Sequence, residues 1–239
     1  MNLDSKNEQA ANAQTQRLAA LGFMVAGVCH EVANPLAAVH SMLQILQSKR
    51  AITPETMEKG LASISMNIAR VLDITRKLGD FSRVGIESPL PASVDAAMEQ
   101  AVSLMHHSPR GAGVHVEYRG SPQARVLARP GNLQQVLSNV LLNAAQAMDG
   151  AGLIDAQAVL TGDGMLALSI RDSGPGIPQE CLQHLFEPFF TTKPAGEGIG
   201  LGLAISYEIV QELGGAIRAF NDPRGGACFE LTLPLSTSP

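Results

Sequence analysis

The sequence predicts an α-helical hairpin, expected to pair into a dimeric four-helix bundle, followed by an α/β sandwich. Three observations carry this. Residues 17–83 hold two apolar-periodic runs separated by a short break. Residues 84–91, VGIESPLP, carry two Pro and one Gly and read as a linker. Beyond them, Gly and Pro recur about every ten to fifteen residues, the punctuation of short mixed elements. The expected organisation is a polar tail at 1–16, a helical domain at 17–83, the linker at 84–91 and a second domain at 92–236.

With Leu18 at heptad position a, the a positions are Leu18, Val25, Val32, Val39 and Leu46, and the d positions are Leu21, Val28, Pro35 and Met42. All are apolar, the pattern of a packed helix seam. Lys49 and Arg50 suit a helix C-terminus. Thr53 followed by Pro54 reads as a helix start, with Thr as the cap. Leu61, Ile64, Ile68, Val71, Thr75 and Leu78 then recur at spacings of three and four. Two such helices cannot cover all their apolar surface on each other, which predicts dimerisation.

In the second domain the spacing predicts helices over Val94 to Met105, Asn132 to Met148 and Leu203 to Leu213. Strands are expected at Val114 to Tyr118, Arg125 to Ala128, Leu153 to Leu160, Met165 to Arg171, Ala216 to Phe220 and Ala227 to Leu233. Strands and helices in this mixture build a sheet covered on one face by helices.

Composition narrows the function. The chain has 239 residues with 17 Lys+Arg against 22 Asp+Glu, a formal net charge of -5. That argues against binding nucleic acid through non-specific charge attraction. Three Cys fit a reducing compartment rather than a disulfide scaffold. No apolar run reaches the ~18–20 residues that span a bilayer, and MNLDSKNEQAANAQTQ has no secretory signature. The expectation is a soluble, cytoplasmic chain without a membrane segment.

Four groups of residues can carry chemistry. His30 falls at heptad position f, away from the seam, where a lone His is ordinarily a solvated side chain. Glu31 beside it can hold one imidazole nitrogen and make the other more basic. Asn34 lies one turn on, and Pro35 cannot donate to the carbonyl of Glu31, so the helix loosens there. This combination suits a nucleophilic His presented to a large partner. Asn139 and Asn143, at i and i+4 in an apolar helix, are either satisfied amides or hard oxygen ligands for Mg2+. Asp172-Ser-Gly-Pro-Gly follows a strand, and Gly174 and Gly176 alone need mean only a tight turn. Gly196, Gly198, Gly200 and Gly202 precede a helix, where backbone N–H groups can approach phosphates. Neither the dinucleotide fingerprint nor the P-loop pattern is present.

Taken together, HEVANPL (30–36), NVLLNAAQAM (139–148), DSGPGIP (172–178), FEPFFTTK (186–193) and GEGIGLGLAIS (196–206) resemble the sensor histidine kinases of two-component systems. The resemblance covers residues 17–236, and FFTTKP looks most like the nitrogen-regulatory branch. It implies ATP-dependent phosphorylation of His30, transfer to an Asp of a response-regulator receiver domain, and phosphatase activity toward that regulator. It also implies a homodimer. Glu31 would be the activating base and Asn34 would position water for dephosphorylation. Asn143 would bind Mg2+, with Asn139 in the same nucleotide box. Asp172 would accept from the adenine amino group, and Gly174 and Gly176 would shape the pocket floor. Residues 187–200 would cover ATP, with Lys193 on its phosphates, and Gly198, Gly200 and Gly202 would lead into the next helix.

Two positions depart from the family pattern. A basic residue often stands three after the metal-binding Asn; here it is Gln146, which shifts phosphate charge onto Lys193. Asp-Pro often precedes the nucleotide helix; here it is Arg129-Pro130. Cys29 is expected to be a packing residue, and His106, His107 and His115 three solvated histidines rather than a metal site.

Overall fold

The computed structural model describes Cys29 and residues 32–48, 52–82, 88–193 and 200–236. The tail at 1–16, His30, Glu31, Gly196 and Gly198 lie outside the described residues. The chain divides into two compact units, Met1–Val84 and Gly85–Pro239.

In the first unit, residues 32–47 are helical (α1) and α2 spans Pro54–Ser82. Val32, Pro35, Val39, Met42 and Leu46 are the residues of α1 that are not exposed, so over 32–46 the packed face carries the a and d positions; Leu18, Leu21, Val25 and Val28 lie outside the described residues. Thr53 caps α2 as expected: its Oγ1 accepts the Thr56 N–H at 3.2 Å. Gly60 is buried, and a Cβ there would lie 3.0 Å from a Leu46 methyl, so the two helices touch where α2 has no side chain. The packed face of α2 differs from the expected stripe. Gly60 and Ile74 are buried and Ser63, Ile64, Asn67, Arg70 and Val71 half-buried, whereas Leu61, Ile68 and Thr75 are exposed. The apolar residues of α2 serve two faces, and a single periodicity count merges them.

The second unit opens with β1 (Leu90–Ser93), α3 (Val94–His106), β2 (Gly113–Arg119), β3 (Arg125–Ala128), α4 (Asn132–Ala147), β4 (Ala151–Leu160) and β5 (Met165–Asp172). A 3-10 turn at Gln179–His184, α5 (Gly202–Glu212), β6 (Ala216–Asn221) and β7 (Ala227–Pro234) complete it. Five strands form one sheet in the order β2-β4-β5-β7-β6; β2 and β4 are parallel and the other pairs antiparallel. β1 and β3 form a separate antiparallel pair. Thus β1 begins inside the stretch expected to be linker: Leu90 pairs with Ala128 and Pro91 with Leu127.

The sheet's alternation fixes where the core sits. Leu166, Leu168 and Ile170 of β5 are buried while Met165, Ala167 and Ser169 between them are half-buried. Buried with them are Ile154, Leu231 and Leu233 of the sheet, Leu137, Val140 and Leu141 of α4, and Met98 and Met105 of α3. Helix α4 packs on both α3 and α5 and on β4 and β5. Its C-terminal end and the C-terminal end of β5 therefore come together. Arg129 ties the start of α4 to the end of α5, its Nη1 donating to Glu212 Oε2 at 2.9 Å. The Arg-Pro pair is thus accounted for by an ion pair.

Candidate functional site

Asp172 is the last residue of β5 and one of three buried polar residues among those described. Its Oδ1 accepts the Gly174 N–H at 2.9 Å and the Ala227 N–H at 3.1 Å. Two amides on one oxygen fix the carboxylate plane and leave Oδ2 for another donor. The loop after it is held from β6: Asn221 Oδ1 accepts the Ile177 N–H, and Asn221 Nδ2 donates to Ile177 O, both at 2.7 Å. Gly176 has φ +80 and no room for a side chain, since a Cβ would lie 2.7 Å from Asn221 Oδ1. Gly174 is needed for closeness instead: its Cβ would lie 3.0 Å from Asp172 Oδ1.

The turn at 222–226 closes the other side. Hydrogen bonds from Arg224 hold the Asp222 carboxyl down at about 2, so it stays ionised and keeps the turn folded. That turn delivers Gly226 and Ala227 to Asp172.

Helix α4 supplies the amides. Asn139 Nδ2 donates to Gly202 O at 2.8 Å and to Ser206 Oγ at 3.1 Å, which locks α4 to the first turn of α5. The Nδ2 group of Asn139 therefore holds the start of α5. Asn143 lies one turn further, and its Oδ1 accepts from Lys193 Nζ at 3.0 Å. Gln146 Oε1 accepts from the same ammonium. An amide oxygen that already carries a cation is a fitting donor for a hard metal ion.

Lys193 follows the Phe-Phe-Thr-Thr run. Phe189 adopts φ +66, rare for a bulky residue, and Gly200 adopts φ +68. The Phe189 N–H donates to Gly200 O at 3.0 Å, and a Cβ on Gly200 would lie 2.5 Å from Phe189 C. These two residues pin the ends of the segment 190–199. Helix α5 then begins at Gly202 without a side-chain cap, so its first N–H groups face outward from the helix end.

The second unit thus gathers Asn139, Asn143, Asp172, Gly174, Gly176, Lys193, Gly200 and Gly202 around the ends of β5, α4 and α5. Asn34 belongs to the other unit, exposed on α1, with Pro35 buried beside it. Sequence reasoning missed Asn221 and Gly226. A Gly-Gly pair before a strand signals a turn, but nothing local ties either residue to Asp172. The histidines form no cluster: His106 Nε2 bonds Val114 O at 3.0 Å and His107 Nδ1 bonds Ser103 O at 2.7 Å. Among the described residues no group of three or more His, Cys, Asp or Glu could hold a metal. Cys29 is exposed, which does not fit a packing residue.

A one-sided α/β sandwich, with a pinned carboxylate ending its central strand, carries this site. Residues 128–237 match the histidine kinase-, DNA gyrase B-, and HSP90-like ATPase family. The chain is 35% identical over 97% of its length to the signal transduction histidine-protein kinase AtoS of Escherichia coli K12, and covers 38% of that protein. It is 31% identical over 97% of its length to the sensor histidine kinase ZraS of Klebsiella oxytoca, and covers 50% of it. Among solved structures, histidine kinase ThkA in complex with response regulator protein TrrA matches with a TM-score of 0.76 at 26% identity, over 96% of this chain and 66% of that one. Full-length ShkA in complex with AMPPNP matches with a TM-score of 0.65 at 29% identity, over 90% of this chain and 46% of that one. The chain is a homologue of the sensor histidine kinases and carries their ATPase domain. It spans half or less of the length of these two curated relatives. No helix among the described residues is long and apolar enough to cross a membrane.

Proposed function

We propose that this chain is the catalytic core of a two-component sensor kinase. ATP binds the second unit, and its γ-phosphoryl group passes to a ring nitrogen of His30, leaving ADP. The phosphoryl group then passes to an Asp carboxylate of a response-regulator receiver. The observation that carries this reading is the cation at Asn143: Lys193 Nζ stands 3.0 Å from Asn143 Oδ1, where the reading puts phosphates and their metal.

The residues divide the work. Asp172 Oδ2 accepts from the adenine amino group, and Gly174 and Gly176 let the backbone lie against the base. Asn143 would hold Mg2+, which when bound with ATP draws charge from the transferring phosphoryl group. Lys193 adds a second positive charge, and the first turn of α5 offers N–H groups to phosphate oxygens. Glu31 orients the imidazole of His30 and takes its proton. Catalysis here is positioning and charge neutralisation. Exposed Leu61, Ile68 and Leu72 on α2, with Leu36, Leu43 and Ile45 on α1, support a homodimeric bundle that buries them. Regulator dephosphorylation assisted by Asn34 and a cytoplasmic site of action complete the proposal.

Radiolabelled ATP with the purified chain tests it. The label should appear on the protein, be lost in acid and survive base, as a phosphoramidate does. His30→Gln should remove the label while an ATP analogue still binds. Steady ATP hydrolysis that does not depend on His30 would instead make the chain a simple ATPase. Failure to bind the analogue would make it a phosphotransfer scaffold.

A further inference from the structure

We propose that Asn221 is a positioning residue for the base end of the nucleotide site: its amide fixes where the glycine backbone at 174–176 lies relative to the Asp172 carboxylate. This rests on the reading that the second unit binds ATP. Asn221 is the last residue of β6. Its Oδ1 accepts the Ile177 N–H and its Nδ2 donates to Ile177 O, both at 2.7 Å. One side chain thus meets both main-chain groups of a single residue, as a paired residue on a neighbouring strand does.

The loop needs that hold. Its start is tied to the sheet: the Ser173 N–H donates to Leu153 O and Ser173 Oγ accepts the Leu153 N–H, both at 3.0 Å. Gly174 and Gly176 then give the backbone more freedom than other residues would. The clamp at Ile177 restores a fixed far end. Gly176 also makes room for it, since a Cβ there would meet Asn221 Oδ1.

The same hairpin holds the carboxylate. Asn221 of β6 stands opposite Ala227 of β7, and the Ala227 N–H donates to Asp172 Oδ1 at 3.1 Å. One cross-strand pair therefore grips the loop at both ends, Asp172 through Ala227 and Ile177 through Asn221. Adenine needs both at once, a carboxylate for its amino group and backbone against its ring. A drift of about 1 Å between them separates two contacts that must form together. The phosphate end is built from α4 and α5 instead, so the clamp acts on the base. An aspartate at 221 would accept the Ile177 N–H but set its second oxygen against Ile177 O with no proton between them. Asn221 is exposed, so its loss removes little packing.

The test is calorimetric binding of a non-hydrolysable ATP analogue with Mg2+, and separately of adenosine, to the full chain. Asn221→Ala should weaken both by the same factor, about fivefold for the loss of two exposed hydrogen bonds, with an unfolding midpoint close to wild type. Equal factors leave the ratio of the two affinities, which is the contribution of the phosphates, unchanged. Asn221→Asp, nearly the same size, should lose at least as much. The Ile177 amide should exchange with solvent faster in Asn221→Ala than in wild type. Unequal factors for analogue and adenosine would overturn the proposal and make Asn221 a general structural residue, as would an unfolding midpoint well below wild type in both variants. Wild-type affinity in either variant, or an Ile177 amide that exchanges no faster, would also overturn it. A wild-type chain that binds the analogue but not adenosine would overturn this proposal alone. A wild-type chain that binds neither would overturn the nucleotide reading itself, and this proposal with it.

Discussion

Asp172 and Ala227 are 55 residues apart in the chain, yet Asp172 Oδ1 accepts the Ala227 N–H at 3.1 Å. The same oxygen also takes the Gly174 N–H. The side chain is thus oriented by two donors that an amide could satisfy equally well, provided its oxygen stays at the Oδ1 position. In Asp172→Asn the NH2 group is then forced to the Oδ2 position and presents a donor where adenine presents its own. The expected outcome is a folded variant with an unfolding midpoint close to wild type and at least about tenfold weaker ATP binding. GTP, which offers an acceptor at that edge, should lose much less. Equal losses for ATP and GTP, measured by calorimetry, would make Asp172 a purely structural residue.

Gly226 sits under the same carboxylate. It has φ +86, and a Cβ would lie 1.8 Å from Asp172 O. Gly225 beside it has φ +99 but open space around it. The pair separates two costs. Gly225→Ala should lose about 1–2 kcal/mol, the backbone penalty alone. Gly226→Ala adds a collision with main chain that only a shift of β5 or β7 relieves, and should lose about 3 kcal/mol or more. Urea unfolding measures both, and only Gly226→Ala should also impair ATP binding.

Elements whose burial is periodic were legible in the sequence. Strand Arg125–Ala128 matches its expected bounds, and helices α3, α4 and α5 fall within one residue of theirs, because their apolar positions follow one face. β1 was not legible. It has four residues and contains Pro91, which lacks an N–H, so it reads as linker until β3 is there to pair with it. The α2 stripe was only half legible, because its apolar residues divide between a face packed inside the hairpin and an exposed one. In the candidate site, Asp172, Asn143 and the glycines were each ambiguous by type and spacing, and only their order along the chain, through the family resemblance, singled them out. Asn221, Gly226 and the bond from Lys193 to Gln146 depend on the sheet order and on a loop crossing α4, and neither is encoded locally.

Tyr118 gives a pH prediction far from the site. Its hydroxyl donates to Asp95 Oδ1 at 2.6 Å, and burial, that hydrogen bond and the Asp95 charge all push its pKa up. The folded pKa lies above the unfolded value of about 10. The stabilisation is therefore fully present below pH ~10 and is lost as pH rises above it. Tyr118→Phe should be less stable than wild type by about 0.5–1.5 kcal/mol at pH 7. That difference should hold up to pH ~10 and shrink between pH ~10 and ~12. Urea midpoints of the two proteins across this range give the measurement, and a difference that stays constant would count against the Asp95 bond.

The proposed dephosphorylation of the regulator puts Asn34 to a test. It is exposed on α1, four residues after His30, while Pro35 next to it is buried in the hairpin seam. A side chain with that exposure contributes little to packing, so its removal should leave the bundle intact. An amide can orient an attacking water through its donor and acceptor, but it is too weak a base to take the proton. Asn34→Ala should therefore keep autophosphorylation and transfer, because His30 and Glu31 are untouched. Dephosphorylation of the regulator should slow by about tenfold, equivalent to about 1.4 kcal/mol of lost water positioning. Pro35→Ala should behave differently. It restores the N–H that Pro lacks and changes a buried seam position, so autophosphorylation and dephosphorylation should be affected together. The measurement is the lifetime of the phosphorylated regulator with each variant, with ADP or an ATP analogue present. An unchanged lifetime in Asn34→Ala, or a joint loss of autophosphorylation, would show that Asn34 serves the helix rather than the hydrolysis.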